Sequence, residues 1–368
     1  MKEKQDKLYM QMALKEAGKG LGRTSPNPCV GAVIVKSDRV IAKGYHKKAG
    51  TAHAEIDAIQ NSSESLVGAT IYVTLEPCNH TGKTPPCCQA ILEQGFSRVV
   101  VGMTDPNPLV NGGGIDFLGS NGIEVVTGVL QQECISLNLP FIKYITQGIP
   151  WTIMKAGVSL DGRLNYQHGY SGWITGEKSA REVHKLRNTV DAILVGRKTV
   201  EVDNPSLTTR IPRGHSKDPI RIILDSDLST SLASKVYHLD SQAPTWVVCA
   251  VDAPQSKKTE FQKHGVRLIE IERMEKGLDL RLLLKELGKE NICSVLVEGG
   301  SRLHGAFLRL KLFDYAHLFY APLFAGDQGV PLIEGYQVQN RDTAPRLVDV
   351  THKRLGDDML ISGQVRYL

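Results

Sequence analysis

Between His53 and Cys87 the chain gathers one imidazole and two thiols, His53, Cys78 and Cys87, with a carboxylate, Glu55, two residues after the imidazole. Nitrogen and sulfur donors of this kind hold Zn²⁺, and three of them leave a fourth position for water, the donor set of a catalytic zinc site. A carboxylate beside such a centre is better placed to move protons than to bind metal. Taken singly, a histidine and two cysteines are more often core residues than ligands. The glutamate, the Pro77-Cys78 pair and two helix starts in register favour the metal.

Local sequence pattern supplies the elements that must position these groups. Glu55 to Ile59 reads as a helix with His53 and Glu55 on its first turn, and Ala69 to Leu75 as a buried strand delivering Cys78 just past its C-terminal end. Pro85 and Pro86 open a second helix from Cys87 to Gln94, closed by Gly95, so Cys87 stands at a helix N-terminus whose dipole favours its thiolate. Cys88, about 100° further round that helix, is read as packing. His80 and Lys83 lie on the polar loop between the cysteines, either solvated or touching substrate. Around this centre, Lys7 to Ala17 has helical spacing, and Val30 to Lys36 pairs with Arg39 to Gly44 as a hairpin. Ser97 to Met103 and Ile123 to Gly128 are further strands, and Leu130 to Leu137 is a helix. Val110 to Leu118 is placed beside the pocket, and Pro140 to Pro150 as the crossover out of the domain. Strands alternating with helices imply an α/β sandwich carrying its site at strand ends.

The His53-Ala54-Glu55 triplet, followed by Pro77-Cys78 and a second cysteine, resembles the zinc cytidine and adenine deaminases, in which the glutamate is the acid/base and not a ligand. Eight residues, Asn79 to Pro86, separate the cysteines, and this insert resembles the riboflavin-pathway branch, as do Thr24 to Val33, Gly44-Tyr45 and His46. The resemblance implies a cytidine-deaminase-like α/β/α sandwich over residues 1–147, with His53, Cys78 and Cys87 as zinc ligands and Glu55 as the catalytic acid/base. Asn27, His46, His80 and Lys83 are its candidate substrate contacts.

The whole chain bounds the function class. At 368 residues with 41% hydrophobic content it is long enough for two domains, each with its own core. No apolar run nears the ~20 residues that span a bilayer, and Met1 to Lys7 lacks a signal-type apolar region. Seven cysteines, an odd number without a regular framework, fit a reducing compartment. A cytoplasmic protein with no membrane partner is expected. Net charge is +1 over residues 1–147 and +4 over the remainder, short of the dense basic face of a polyanion binder, so no nucleic-acid partner is expected.

The second domain, 148–368, opens with a strand from Trp151 that runs into the Gly162 turn, and the helix Ser179 to Asn188 follows. Strands Ala192 to Gly196, Ile220 to Leu224, Thr245 to Ala250 and Val266 to Ile271 continue the alternation, with an amphipathic helix from Leu278 to Leu287. From Asn291 a buried strand meets Gly299-Gly300 and a helix, a junction that is either a plain turn or a phosphate site built from backbone N–H groups. Lys155, at a strand end, suits either polarising a carbonyl or imine or making an ion pair.

Met154-Lys155 through Ser159 to Arg163, Ser171 to Thr175, Leu186-Arg187, Asp203 to Thr208 and Val297 to Gly300 resemble the reductase half of the bifunctional riboflavin-biosynthesis deaminase/reductases, a dihydrofolate-reductase-like α/β domain that uses NADPH. The resemblance implies that Gly157, Trp173, Thr199, Asp203 and Gly300, Ser301, Arg302, Leu303, His304, Gly305 and Ala306 contact NADPH. It likewise implies that Ser171, Arg187, Leu207, Arg210 and Glu298 contact the sugar phosphate, with Lys155 a further substrate contact. Arg187 and Arg210 suit bidentate phosphate binding. The small-molecule substrate so implied is a phosphoribosylaminopyrimidine: water replaces its 2-amino group, with Glu55 carrying the proton, and hydride from NADPH then reduces C1′ of the ribosyl group. A homo-oligomer is expected. The alternative is a zinc deaminase of nucleic-acid bases with a noncatalytic nucleotide-binding C-terminal domain.

Overall fold

The protein, described from a computed structural model over residues 2–79, 85–107, 113–212, 216–275 and 277–368, forms two compact units, Met1–Ile149 and Pro150–Leu368. The N-terminal unit runs α1 (Lys2–Ala17), β1 (Gly31–Lys36), β2 (Arg39–Tyr45), α2 (Ala54–Gln60), β3 (Thr70–Leu75), α3 (Cys87–Glu93), β4 (Arg98–Met103), α4 (Gly114–Ser120), β5 (Glu124–Thr127), α5 (Gln131–Leu137) and α6 (Leu139–Gln147). Its sheet has the order β2-β1-β3-β4-β5, antiparallel at the hairpin side and parallel from β3 to β5. Strands β3 and β4 are buried along nearly their whole length, as parallel strands covered on both faces must be. Val99, Val100 and Val101 are fully enclosed, each worth ~1.5–3 kcal/mol relative to exposure.

Two devices hold the helices to this sheet. The Asp6 carboxylate on α1 accepts a two-pronged bond from Arg98 on β4, at 2.7 and 2.9 Å, and the Tyr72 hydroxyl at 2.9 Å. Gly44 lets α2 lie directly on β2, because a Cβ there would stand 2.2 Å from the Ala58 nitrogen.

The structure alters two expectations here and leaves a third open. His53 is not on the first turn of α2 but caps it in extended conformation, with Glu55 inside the helix. The stretch after Pro140 is not an irregular crossover: Leu139–Gln147 is a helix with Pro140 in its first turn, where the missing N–H costs nothing, and it closes at Gly148. Of the segment placed beside the pocket, residues 110–112 lie outside the described residues, and the rest begins α4.

The C-terminal unit runs β6 (Trp151–Val158), α7 (Glu177–Arg187), β7 (Ala192–Gly196), α8 (Arg197–Asp203), β8 (Ile220–Leu224), β9 (Thr245–Ala250), α9 (Gln255–Lys263), β10 (Arg267–Ile271), the small ribbon β11 (Arg273–Met274) and β12 (Gly277–Leu278), α10 (Leu280–Lys289), β13 (Ser294–Val297), α11 (Ser301–Arg309), β14 (Tyr315–Tyr320), β15 (Arg346–Leu355) and β16 (Asp358–Arg366). Nine strands form one sheet in the order β10-β9-β8-β7-β13-β6-β14-β16-β15. The chain winds outward from β7 to β10, then returns to insert β13 between β7 and β6. In α/β sheets ligands bind outside the carboxyl ends of the strands at such a reversal of strand order. Among the described residues no helix is long and apolar enough to cross a membrane.

Candidate functional site

In the N-terminal unit three element ends bring the soft donors together. His53 precedes α2, Cys78 follows β3, and Cys87 is the first residue of α3. The His53 Nδ1 atom lies 3.6 Å from Cys78 Sγ and 3.3 Å from Cys87 Sγ, and the three donor atoms are all within 4.8 Å of one another. A tetrahedral zinc with bonds of ~2.3 Å to sulfur and ~2.0 Å to nitrogen has N···S edges of about 3.5 Å. The donor set therefore fits Zn²⁺ in both chemistry and size.

The two thiols share one hydrogen bond. Cys78 has its thiol held down to about 4, chiefly by the hydrogen bond from the Cys87 thiol and then by His53 and the Cys87 backbone N–H. That N–H, at the start of α3, points at Cys78 Sγ from 3.4 Å. Cys87 is pushed up by the same shared proton and by burial, and the N–H at the start of α3 supports the thiolate of Cys78. Cys88 packs against the Pro77 and Gly114 carbonyls, as expected of a core thiol.

Glu55 is 3% exposed, and burial, followed by the charge of Cys78, raises its carboxyl to about 7. A carboxyl that ionises near neutrality can both take and return a proton. His46 is also buried, with Nδ1 donating to the Ala52 carbonyl at 3.0 Å and Nε2 accepting from Asn27 Nδ2 at 3.1 Å. Both nitrogens are engaged, so His46 orients the half-buried Asn27, and its ring stands edge-on to His53 at 5.6 Å. His80 and Lys83 lie outside the described residues. Glu76, which the sequence reading passed over, is buried beside the centre and accepts the backbone N–H groups of Asp105, Gly114 and Ile115. Its only sequence signal is an acid two residues before a ligand.

In the C-terminal unit, Lys155 on β6, Glu298 just past β13 and Arg187 at the end of α7 meet. Arg187 donates Nε and Nη2 to the two Glu298 oxygens, both at 2.8 Å, and Lys155 Nζ donates to Oε2 at 3.3 Å. Burial alone would raise the Glu298 carboxyl, but Arg187 and then Lys155 outweigh it and hold it at about 2. The expected substrate contacts Arg187 and Glu298 are thus brought together, with one edge of the guanidinium turned to the carboxylate. Arg187 Nη1 also donates to the Thr208 carbonyl at 3.1 Å, which draws the neighbouring Leu207 to the cluster; Leu207 is buried, at φ 55°. Arg210 is exposed, with Nε 3.3 Å from His184 Nε2.

The cofactor expectations divide. No heavy atom lies within 4 Å of where a Cβ on Gly300 would stand, and Gly300 caps α11 in extended conformation. The space beside this helix start is open, and helix N-termini of this kind receive phosphate groups. Leu303, His304 and Gly305 are buried, and a Cβ on Gly305 would strike the Glu334 carbonyl at 1.8 Å. Those three positions face the core because α11 turns them there; Ala306, half-buried, lies further along it. Ser171, Trp173 and Asp203 are exposed and Thr199 is half-buried, and no described contact ties them to the Lys155–Glu298–Arg187 cluster. Gly157 faces the Thr175 side chain, 3.1 Å from a Cβ position.

Comparison with known proteins gives consistent matches over both units. The cytidine and deoxycytidylate deaminase zinc-binding region matches residues 3–103, and the RibD C-terminal domain matches residues 150–361. The chain is 39% identical to the riboflavin biosynthesis protein RibD of Bacillus amyloliquefaciens, over 97% of this chain and 95% of that protein. It is 37% identical to that of Escherichia coli, over 97% and 98%. Among solved structures, a diaminohydroxyphosphoribosylaminopyrimidine deaminase/5-amino-6-(5-phosphoribosylamino)uracil reductase from Thermotoga maritima is 36% identical, covers the whole of both chains and has a TM-score of 0.87. Acinetobacter baumannii RibD is 35% identical, with the same TM-score and 99% of each chain covered.

Proposed function

The chain belongs to the RibD family of riboflavin biosynthesis proteins, bifunctional deaminase and reductase enzymes using Zn²⁺ and NADPH, and from that membership we propose which residues carry each activity. The N-terminal unit deaminates 2,5-diamino-6-(5-phosphoribosylamino)pyrimidin-4(3H)-one, and the C-terminal unit reduces the ribosyl group of the resulting uracil to ribityl. The alternative of a nucleic-acid base deaminase with a noncatalytic partner domain gives way, because the family match runs through both units.

His53 Nδ1, Cys78 Sγ and Cys87 Sγ would hold Zn²⁺, which would supply a Lewis acid able to make water a nucleophile near neutral pH. Glu55 takes the proton from that water and returns it to the departing amine, so a C–O bond forms, the C–N bond breaks and ammonia leaves. Its burial keeps the carboxyl near 7, which lets it act in both directions. Asn27, held by His46, orients the pyrimidine. His80 and Lys83 remain substrate contacts in this reading.

NADPH supplies the hydride for C1′ of the ribosyl group. Gly300, Ser301 and Arg302 offer backbone N–H groups to its phosphates, and Gly157, Trp173, Thr199 and Asp203 complete its surroundings. Lys155, steadied by Glu298, presents its ammonium to the opened sugar and polarises it; Arg210 and Ser171 receive the substrate phosphate. Seven cysteines without a regular framework fit a cytoplasmic location, the low net charge fits the absence of a nucleic-acid partner, and the exposed edge strand β15 fits assembly with a second copy.

The observation that carries the reading is the convergence of His53, Cys78 and Cys87 beside a carboxyl raised to about 7. Glu55→Gln is expected to retain zinc, to lose ammonia release by at least ~100-fold, and to oxidise NADPH normally when given deaminated substrate. Normal ammonia release by that variant removes the assigned role.

A further inference from the structure

Glu76 is 7% exposed, and both of its carboxylate oxygens are engaged by backbone. Oε1 accepts the N–H groups of Gly114 at 3.0 Å and Ile115 at 3.2 Å, and Oε2 accepts the N–H of Asp105 at 3.2 Å. These donors sit at the exit from β4 and in the first turn of α4. Asp105 in turn accepts the Asn107 N–H at 2.9 Å, which bends the chain at the exit. A second tie comes from Asn79, adjacent to Cys78, whose Nδ2 donates to the Gly113 carbonyl at 3.2 Å. The approach is close: a Cβ on Gly114 would stand 2.1 Å from the Pro77 carbonyl, so that position fits only glycine. Four consecutive residues, Glu76 to Asn79, thus present the ligand Cys78 and anchor both the exit from β4 and the start of α4.

We propose that Glu76 is a positioning residue for deamination: it fixes the Asp105–Asn107 turn and the Gly113–Ile115 helix start at the mouth of the metal centre, and so sets how firmly the pyrimidine substrate is held. The inference rests on the deaminase reading of this unit. Glu76 makes no described bond to α2 or α3, which carry Glu55 and Cys87, so its effect reaches substrate binding and not the bond-making groups. A buried carboxylate suits the task because bonds to a charged acceptor are stronger than neutral ones and two oxygens can serve both segments at once.

Glu76→Gln keeps the volume but offers one oxygen where there were two and turns an NH₂ toward a backbone donor. In the full-length zinc-loaded enzyme, with kcat and KM taken from ammonia release, the expected result is KM raised about tenfold with kcat within about threefold. Zinc content and NADPH oxidation with deaminated substrate stay at the wild-type level. Asn79→Ala removes only the exposed tie and raises KM about two- to threefold in the same direction; it decides the matter if Glu76→Gln does not fold. Unchanged KM in both variants overturns the proposal, and so does loss of zinc, or a fall in kcat alone, which would make Glu76 a support of Cys78. Wild-type protein that releases no ammonia defeats the deaminase reading instead, so the two failures are distinct.

Discussion

Glu298 illustrates how a single side chain takes its meaning from its partners. Enclosed without them, its charge would be expelled; beside Arg187 and Lys155 it stays ionised and fixes both cations in place. Arg187→Ala leaves that carboxylate buried with half its compensation gone, and the C-terminal unit is expected to lose about 3 kcal/mol in a urea titration. Arg187→Met combined with Glu298→Gln recovers most of the loss, because the uncompensated charge goes as well. Equal destabilisation by the single and the double variant would contradict the pairing. The zinc donors were legible in the sequence because their residue types are rare and their chemistry restrictive. The Arg187–Glu298 pair was not, since it joins residues 111 positions apart and either alone looks like a free charge at a ligand site. Glu76 was hidden for the same reason: its acceptor role depends on backbone donors brought in by α4.

At the scale of elements, what matters is which face each presents. In α11 the start is open at Gly300, while His304 points inward with no exposure, Nδ1 donating to the Leu332 carbonyl at 3.2 Å. Burial lowers its imidazole from 6.5 to about 4. As pH falls from about 6.5 to 4 the unfolded chain gains a proton that the folded one refuses, so stability declines over that window by up to ~1.4 kcal/mol per pH unit per histidine. His304→Gln is expected to flatten the slope by about one such histidine in unfolding measured across pH. A second contribution remains from His317, which burial also holds near 4. An unchanged slope would show that the ring is charged when folded. In the N-terminal unit, Gly44→Ala drives a Cβ into the α2 backbone and is expected to shift His53 and weaken zinc binding by at least tenfold in a chelator competition; wild-type affinity would show that α2 does not depend on that close approach. Most elements were legible from periodicity, including the hairpin β1–β2 and the strand β3 that leads to Cys78. Helix α6 was not, because proline in a first turn mimics a break. Strands β14 to β16 were not placed either, as they carry no motif and are recognisable only by their pairing with β6 and each other.

Across the whole chain, two independently cored units are matched end to end by enzymes that remove an amine and then reduce a sugar. The fold class followed from the alternation of strands and helices. The reaction sequence depended on motifs at three element ends and one strand-order reversal. The central claim is that zinc at His53, Cys78 and Cys87 serves the first reaction and not the second. It is tested most directly by metal analysis of purified protein combined with one assay on the diaminopyrimidine that follows ammonia and NADPH together, before and after chelation. The account predicts one zinc per chain, ammonia release matched by NADPH oxidation, and, once the metal is stripped, loss of ammonia release with NADPH oxidation of deaminated substrate intact. Full ammonia release by metal-free protein would contradict it.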